Sequence, residues 1–174
     1  MRKFFLAILL MLLSFANAHN QEHRMYRNSS FNFVVSYPAS WKVQETRVGV
    51  MFIAPPIKDE SSAFAENVDI SFNELNGTPE NMDKYLEKTV RDLRSYEDMK
   101  NLKVLERGKI KIGGKEAGFL RYSCTLWGGS SIFKQYAIIE TSWLILLTYC
   151  GEGKDFYELL PQAEGIIKSF RLVK

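Results

Sequence analysis

The sequence is poor in histidine, the side chain that most often serves as a general base. Only two of its 174 residues are histidines, and both of them, His19 and His23, lie close to the amino terminus. From Arg24 onward there is no imidazole, so Ser-His or Cys-His catalysis would require the leading segment to fold back into a site. We therefore expect no catalytic residues and predict that the protein is not an enzyme.

Long apolar stretches and an excess of one charge are also missing. A membrane-spanning helix needs about 20 apolar residues, whereas residues 4–13 supply ten and no later run is longer. The chain has 23 basic and 20 acidic residues, and the balance falls from +3 to about +1 without Arg2 and Lys3. Nucleic-acid binding depends on clustered cations. We therefore expect neither a nucleic-acid partner nor a transmembrane anchor in the mature chain.

Cysteine is scarce as well, since only Cys124 and Cys150 are present. An exported protein can form a disulfide, but tight turns at residues 128–129 and 141–142 would set Phe133 between the two cysteines. Two strand spacings are about 9.5 Å, which exceeds the roughly 7 Å that separates bridged Cα atoms. We therefore expect two buried free thiols.

What the chain does have, before anything else, is a secretory signal. A short basic start precedes the apolar residues 4–13, and Ala16 and Ala18 place small side chains where a signal peptidase cleaves. We predict a signal peptide over residues 1–18, cleavage after Ala18, and a mature protein that is periplasmic or secreted. No cysteine lies near the junction to accept a lipid.

Residues 19–30 are polar and without periodicity, which predicts a flexible tail. After cleavage His19, its α-amine and His23 could capture Cu(II) or Ni(II). A mobile tail orders poorly around an ion, so we assign no metal site and no cofactor. Residues 28–30 and 76–78 match the glycosylation acceptor pattern, which matters only in a eukaryotic secretory pathway.

Residues 31–174 are predicted to form a single domain that opens with strands. The clearest is near residues 67–72, where Val68, Ile70 and Phe72 alternate with polar residues, as in a strand with one buried face. Glu66 and Asp69 flank this strand, and we expect both to be solvated because charged residues are seldom buried unpaired.

Two segments have helical spacing. Thr78 and Pro79 form a typical helix start, and an apolar stripe follows to about Tyr96. The second stripe ends the chain, and Pro161 within it predicts a kink or break. The stripes consist of Met82, Tyr85, Leu86, Val90 and Leu93, and of Phe156, Leu159, Leu160, Ala163, Ile166, Ile167 and Phe170.

Between the helices, the sequence predicts an antiparallel meander with turns at residues 113–114, 128–129 and 141–142. Both faces of this meander are apolar, so both need cover. One face has Leu120, Tyr122, Phe133, Ala137, Ile139, Leu144 and Leu146, and the other has Phe119, Trp127, Ile132, Tyr136, Ile138, Trp143, Ile145 and Leu147. Helices on opposite faces give an α+β fold, an α/β/α sandwich with a mostly antiparallel sheet.

Three short motifs resemble the PsbP-like superfamily, which contains the photosystem II extrinsic subunit and related small bacterial secreted proteins. They are residues 31–41 (Phe-Asn-Phe-Val-Val-Ser-Tyr-Pro-Ala-Ser-Trp), residues 112–117 (Ile-Gly-Gly-Lys-Glu-Ala) and residues 166–171 (Ile-Ile-Lys-Ser-Phe-Arg). The resemblance implies a mostly antiparallel sheet between helices, and a family whose known members act by docking to other proteins.

The functional hypothesis is therefore a secreted or periplasmic, non-enzymatic protein-binding domain, an accessory or assembly factor of an envelope complex. Its protein partner is unidentified. The alternative is a small-ligand or metal-binding protein, or an enzyme that uses carboxylates and tyrosine. A flat apolar patch favours docking, and a deep pocket with convergent Asp, Tyr or Lys favours the alternative.

Overall fold

The computed structural model of the chain describes residues 22–56, 65–75, 81–126 and 128–173. The predicted signal peptide, residues 1–18, and His19 lie outside the described residues. Within these ranges the elements are β1 (His23–Asn28), β2 (Phe33–Pro38), β3 (Lys42–Thr46), β4 (Gly49–Ile53), β5 (Asn67–Glu74), α1 (Met82–Ser95), β6 (Lys100–Ile112), β7 (Lys115–Leu126), β8 (Gly129–Glu140), β9 (Trp143–Glu152), α2 (Gly153–Ser169) and β10 (Arg171–Leu172).

A seven-stranded antiparallel sheet forms the centre of the fold, in the order β3-β4-β5-β9-β8-β7-β6. Helix α1 packs over β6 and β7 on one face. Helix α2 packs on the other face with a small sheet of order β1-β2-β10. The predicted α+β fold, an α/β/α sandwich with a mostly antiparallel sheet, is confirmed. Among the described residues, no helix is long and apolar enough to cross a membrane.

The alternation of the meander directs its side chains as predicted. Leu120, Tyr122 and Ala137 contact the apolar stripe of α1. Tyr136 and Leu147 point the other way, into the larger core beneath α2 and the small sheet. Trp127, which the sequence places with this second set, lies outside the described residues. Opposite faces of the same strands thus bury two separate cores.

The predicted flexible tail is wrong for its second half, because residues 23–28 form β1. This strand pairs along its whole length with β2, from His23 opposite Pro38 to Asn28 opposite Phe33. Tyr26 packs on Phe52 with ring centroids 5.7 Å apart. A polar strand of this kind has no periodicity of its own, and its order comes from the partner strand.

Both helices differ from expectation at one point. Helix α1 begins at Met82, where the side chain of Asn81 accepts a hydrogen bond from the Lys84 N–H at 2.9 Å; the start predicted at residues 78–79 lies outside the described residues. Helix α2 continues through Pro161 without a break. Pro161 and Tyr157 are both exposed, so water can satisfy the carbonyl that loses its N–H partner.

The turn between β7 and β8 lies one residue earlier than predicted. Leu126 pairs with Gly129, and Cys124 therefore stands opposite Ser131 rather than Phe133. Gly128 supplies the positive φ of +85° that this turn needs. The register moves by two residues, an even number, so no side chain changes face. Cys150 stands opposite Phe133 as predicted, and both cysteines are buried free thiols.

An ion pair fixes α2 to the sheet. The ammonium of Lys134 on β8 donates to Glu164 on α2, and their side chains are only 12% and 21% exposed. Lys168 reaches the other carboxylate oxygen at 2.5 Å. Lys134 also lies 5.7 Å from the ring centre of Phe119. Since half-buried charges are costly when unpaired, this contact fixes the position of the helix.

The tightest backbone contact gives a first test of the packing. A Cβ at Gly49 would lie 1.8 Å from the carbonyl oxygen of Ile70, in the neighbouring strand of the sheet. We expect Gly49→Ala to lower the free energy of unfolding by roughly 1–3 kcal/mol or more in urea titrations. Gly165→Ala is the control, because nothing lies within 4 Å of that exposed helical position, and it should stabilise by roughly 0.5–1 kcal/mol. Equal midpoints for the two variants would contradict the structure.

The Lys134–Glu164 contact predicts a pH-dependent stability. Burial raises the pKa of Glu164, but hydrogen bonds from Lys134 and Lys168 outweigh burial and bring that pKa below its ordinary value. The ionised carboxylate therefore stabilises the fold above the unfolded-state pKa, and this stabilisation is lost as the pH falls through the lower folded-state pKa. We expect Glu164→Gln to cost about 1–2 kcal/mol at pH 7.

The deficit of Glu164→Gln should shrink below about pH 4, where the carboxyl of the unfolded chain is protonated. Glu158→Gln is the matched control, since Glu158 is exposed on the same helix, and it should change stability little at any pH. Urea unfolding at a series of pH values measures both variants. A deficit that stays constant from pH 7 to pH 3 would refute the electrostatic explanation.

Candidate functional site

Helix α1 is too short to cover its whole face of the sheet. It packs on β6 and β7, and its apolar cluster extends to Phe133 and Leu146. The same face of β3, β4 and β5 has no element over it within the described residues. The predicted cover of both faces is therefore confirmed for the meander next to α1, and the described residues place nothing over the sheet beyond it.

A shallow groove of about 380 Å³ lies where this open surface begins. We call it the sheet-face groove. Its walls come from four neighbouring strands, β5, β9, β8 and β7. The described residues that line it are Asn67, Asp69, Ser71, Leu126, Phe133, Gln135, Leu146, Thr148 and Cys150.

The antiparallel register explains why the groove is half polar and half apolar. Asp69 stands opposite Thr148, which stands opposite Gln135, and Gln135 donates a hydrogen bond to the Thr148 hydroxyl at 3.3 Å. Two residues away on each of these two strands, Cys150 stands opposite Phe133. Because side chains two residues apart share a face, a polar row and an apolar row lie side by side.

Asp69 is the only ionisable carboxylate among the described residues of the groove. The Asp69 side chain is half-buried, so the expectation that it is fully solvated is wrong. Burial raises the pKa of Asp69 above its ordinary value, and a hydrogen bond from Ser71 opposes that rise. The carboxylate is thus partly desolvated, with neutral hydrogen-bonding groups around it.

Glu66 differs still more from the expectation of a solvated surface, because it is only 8% exposed. Its carboxylate accepts a hydrogen bond from the Glu152 N–H at 3.3 Å. The close approach of Gly151 to the Glu66 side chain leaves little room for water. Glu66 therefore stabilises the backbone just before α2, and it does not line the groove.

The two cysteines are in environments that disfavour the thiolate. Burial raises the pKa of Cys150 to about 12, and burial also raises the pKa of Cys124. Both thiols stay protonated at neutral pH, so neither is an activated nucleophile. Within the described ranges, no group of three or more His, Cys, Asp or Glu side chains could hold a metal ion.

A second opening of about 310 Å³ lies between the small sheet and the β8–β9 turn. Phe31 stacks on Phe72 at 4.5 Å between ring centres and meets Trp143 edge-on. These rings pack against one another and belong to the larger hydrophobic core. This cleft is therefore the weaker candidate.

The glycosylation pattern at residues 28–30 does not offer an accessible asparagine. Asn28 is 9% exposed, its amide donates to the Tyr26 hydroxyl at 3.0 Å, and its carbonyl accepts from the Phe31 N–H at 2.9 Å. Asn76, in the second pattern, lies outside the described residues. His23 is the first residue of β1 and therefore does not lie in a mobile tail.

Sequence reasoning missed the groove although one signal for it was present. Asn67, Asp69 and Ser71 form the polar side of β5, and the strand beside them carries apolar residues on both faces. Where a strand with a polar outer face lies beside a strand with an apolar outer face, the helix that covers the sheet ends. Only the strand order reveals that β5 lies beside β9.

The thiols provide a direct test of this site description. We expect iodoacetamide to add two labels to the chain in denaturant without reductant, and intact mass spectrometry counts them. Under native conditions both sites should react at least about tenfold more slowly than a free thiol, because reaction requires the thiolate. A chain that takes up no label in denaturant would contain a disulfide and contradict the register of β7, β8 and β9.

Comparison with protein-family models gives no match, and comparison with curated protein sequences gives none either. Solved structures do match. LpqN of Mycobacterium tuberculosis, described as involved in cell envelope biogenesis, aligns with a TM-score of 0.63 and 12% identity over 91% of this chain and 88% of its own. PA94 of Pseudomonas aeruginosa, a protein of unknown function, gives 0.60 and 18% over 85% and 95%.

Cyanobacterial PsbP from Synechocystis sp. PCC 6803 aligns with a TM-score of 0.57 and 13% identity over 90% of this chain and 95% of its own. Structural matches at identities this low establish the fold but not the function. This match agrees with the resemblance that the three sequence motifs indicated. The chain therefore has the PsbP-like fold.

Proposed function

We propose that the chain is a periplasmic or secreted, non-enzymatic binding protein that docks to another protein of the cell envelope through the sheet-face groove. The observation that carries this proposal is the open part of the central sheet beside α1. There the described residues form a shallow groove that combines apolar and polar side chains. Surfaces of mixed polarity that no element covers are typical of protein docking sites.

The alternative, an enzyme based on carboxylates and tyrosine, has less support from the geometry. Asp69 is the one carboxylate among the described lining residues, and no tyrosine or lysine stands with it. Acid-base catalysis usually needs at least two groups whose environments separate their pKa values. A single carboxylate in a shallow groove is better suited to recognition.

The structural neighbours support an envelope role. LpqN is described as involved in cell envelope biogenesis, and a second neighbour is a cyanobacterial PsbP. An accessory or assembly factor of an envelope complex is the role we assign to this chain. Export through the signal peptide over residues 1–18 would place the protein in the compartment where such complexes lie.

Site-specific photo-crosslinking in the native host tests the proposal. The photoreactive residue benzoylphenylalanine is placed at Gln135 or at Ser71, in the groove, in the full-length chain. We expect both positions to give an adduct with the same envelope protein, identified by mass spectrometry. The purified partner should then bind the purified chain in isothermal titration, and the mature amino terminus should be His19.

The control places benzoylphenylalanine at Glu158, which is exposed on α2 on the opposite side of the sheet. It should give no adduct with that protein. Adducts of equal yield from Glu158 and Gln135 would show that the groove is not the docking site. The absence of any adduct at both groove positions would overturn the proposed function.

A further inference from the structure

Within the described residues, the sheet-face groove has a negative charge with no cationic side chain in its lining. Among its described lining residues Asp69 is ionisable as an acid, and none is Lys or Arg. Lys42 is on the same face of the sheet, but it stands on β3, two strands away from β5. The hydroxyl of Ser71 is the hydrogen-bond partner of Asp69 within the described chain.

A half-buried carboxylate in this setting can still bind a cationic group. It has lost part of its hydration, which is why its pKa is raised. A positive group within about 4–6 Å would restore the stability of the ionised form. The groove is thus electrostatically complementary to an ammonium or guanidinium group.

The apolar side chains of the groove have a different requirement. Leu126 on β7, Phe133 on β8 and Leu146 on β9 present apolar side chains that remain partly exposed. Covering them is favourable because apolar surface leaves water. A compact inorganic cation would satisfy Asp69 and leave these apolar side chains exposed.

The distance from Asp69 to Phe133 gives the length of the occupant. Phe133 stands opposite Cys150 two strands away from β5, and Cys150 stands opposite Asn67, two residues from Asp69. Two strand spacings of about 4.8 Å and one two-residue step of about 6.6 Å place it roughly 12 Å from Asp69. An extended chain rises about 3.3 Å per residue and points alternate side chains to the same side. Five residues, whose first and last Cα atoms are about 13 Å apart, therefore reach from Asp69 to Phe133, and the first, third and fifth side chains face the groove.

We propose that the sheet-face groove receives an extended segment of the partner protein, in which an Arg or Lys lies against Asp69 and apolar side chains follow two and four positions later. This inference rests on the proposed function and specifies what the partner presents. The Arg or Lys side chain lies beside Thr148 and Ser71. The first apolar side chain lies over β9 beside Cys150, and the second covers Phe133.

Two synthetic pentapeptides test the inference with the purified full-length chain. The probe is acetyl-Arg-Ser-Leu-Ser-Leu-amide, and its matched control has citrulline in place of arginine, which keeps the shape and removes the charge. Binding is followed by amide chemical shifts in NMR titrations. We expect shifts confined to β5, β8 and β9 around the groove, and about tenfold weaker binding of the citrulline peptide, equivalent to about 1.4 kcal/mol.

Substitutions in the chain locate the contact. Asp69→Asn keeps the size of the side chain and should weaken the arginine peptide by about tenfold, with no change for the citrulline peptide. Asp98→Asn removes an exposed carboxylate in a turn outside the groove and should leave both affinities within about twofold. The amide spectrum of each free variant shows whether the fold is kept.

The inference would be overturned if both peptides bound equally, or if Asp98→Asn weakened binding as much as Asp69→Asn. Failure of the inference can be distinguished from failure of the proposed function. If crosslinks from Gln135 persist while the arginine peptide does not bind, the docking site stands and the basic-apolar partner is wrong. If the crosslinks are also absent, the proposed function itself fails.

Discussion

The pairing of β5 with β9 is the interaction on which the rest of this structure depends. It joins eight residue pairs, from Asn67 opposite Cys150 to Glu74 opposite Trp143, between positions far apart in the chain. Without it the strands β3–β5 and the meander β6–β9 would be separate sheets with open edges. With it the sheet reaches seven strands and extends beyond the part that α1 covers. The fold and the groove are therefore consequences of one strand pairing.

This pairing also explains the unusual position of Asp69. The strand β5 directs Val68, Ile70 and Phe72 into the core beneath α2 and the small sheet, so its other side must face the groove. There Asp69 meets Thr148 of β9. The hydrophobic effect that buries one face of β5 holds a carboxylate in a partly desolvated position on the other. A charged group held in this way costs stability, and a partner that supplies the opposite charge recovers some of that cost.

The structural neighbours share the fold at 12–18% identity, which indicates that many sequences satisfy its packing requirements. The two apolar cores need only side chains of suitable size on the correct face. The groove, in contrast, depends on a few polar residues on a part of the sheet that neither α1 nor α2 covers. Such a surface can change without disturbing either core, so the fold can be kept while the partner differs.

Much of the fold could be predicted from the sequence, because alternation and helical spacing are local patterns. The strand near Val68, the apolar stripe from Met82 and the face of each meander residue follow from periodicity. The resemblance to the PsbP-like superfamily follows from short motifs such as residues 31–41. In each case the physical reason is the same: neighbouring residues alone decide which side of an element is apolar.

Tertiary structure decided the remainder, because it depends on contacts between distant parts of the chain. The strand β1 has no pattern of its own and is ordered by pairing with β2. The burial of Glu66 requires the approach of Gly151. The groove requires β5 to lie beside β9, and it requires α1 to end before it covers them. A sequence pattern shows which side chains avoid water, but only the folded chain determines which of them still meet it.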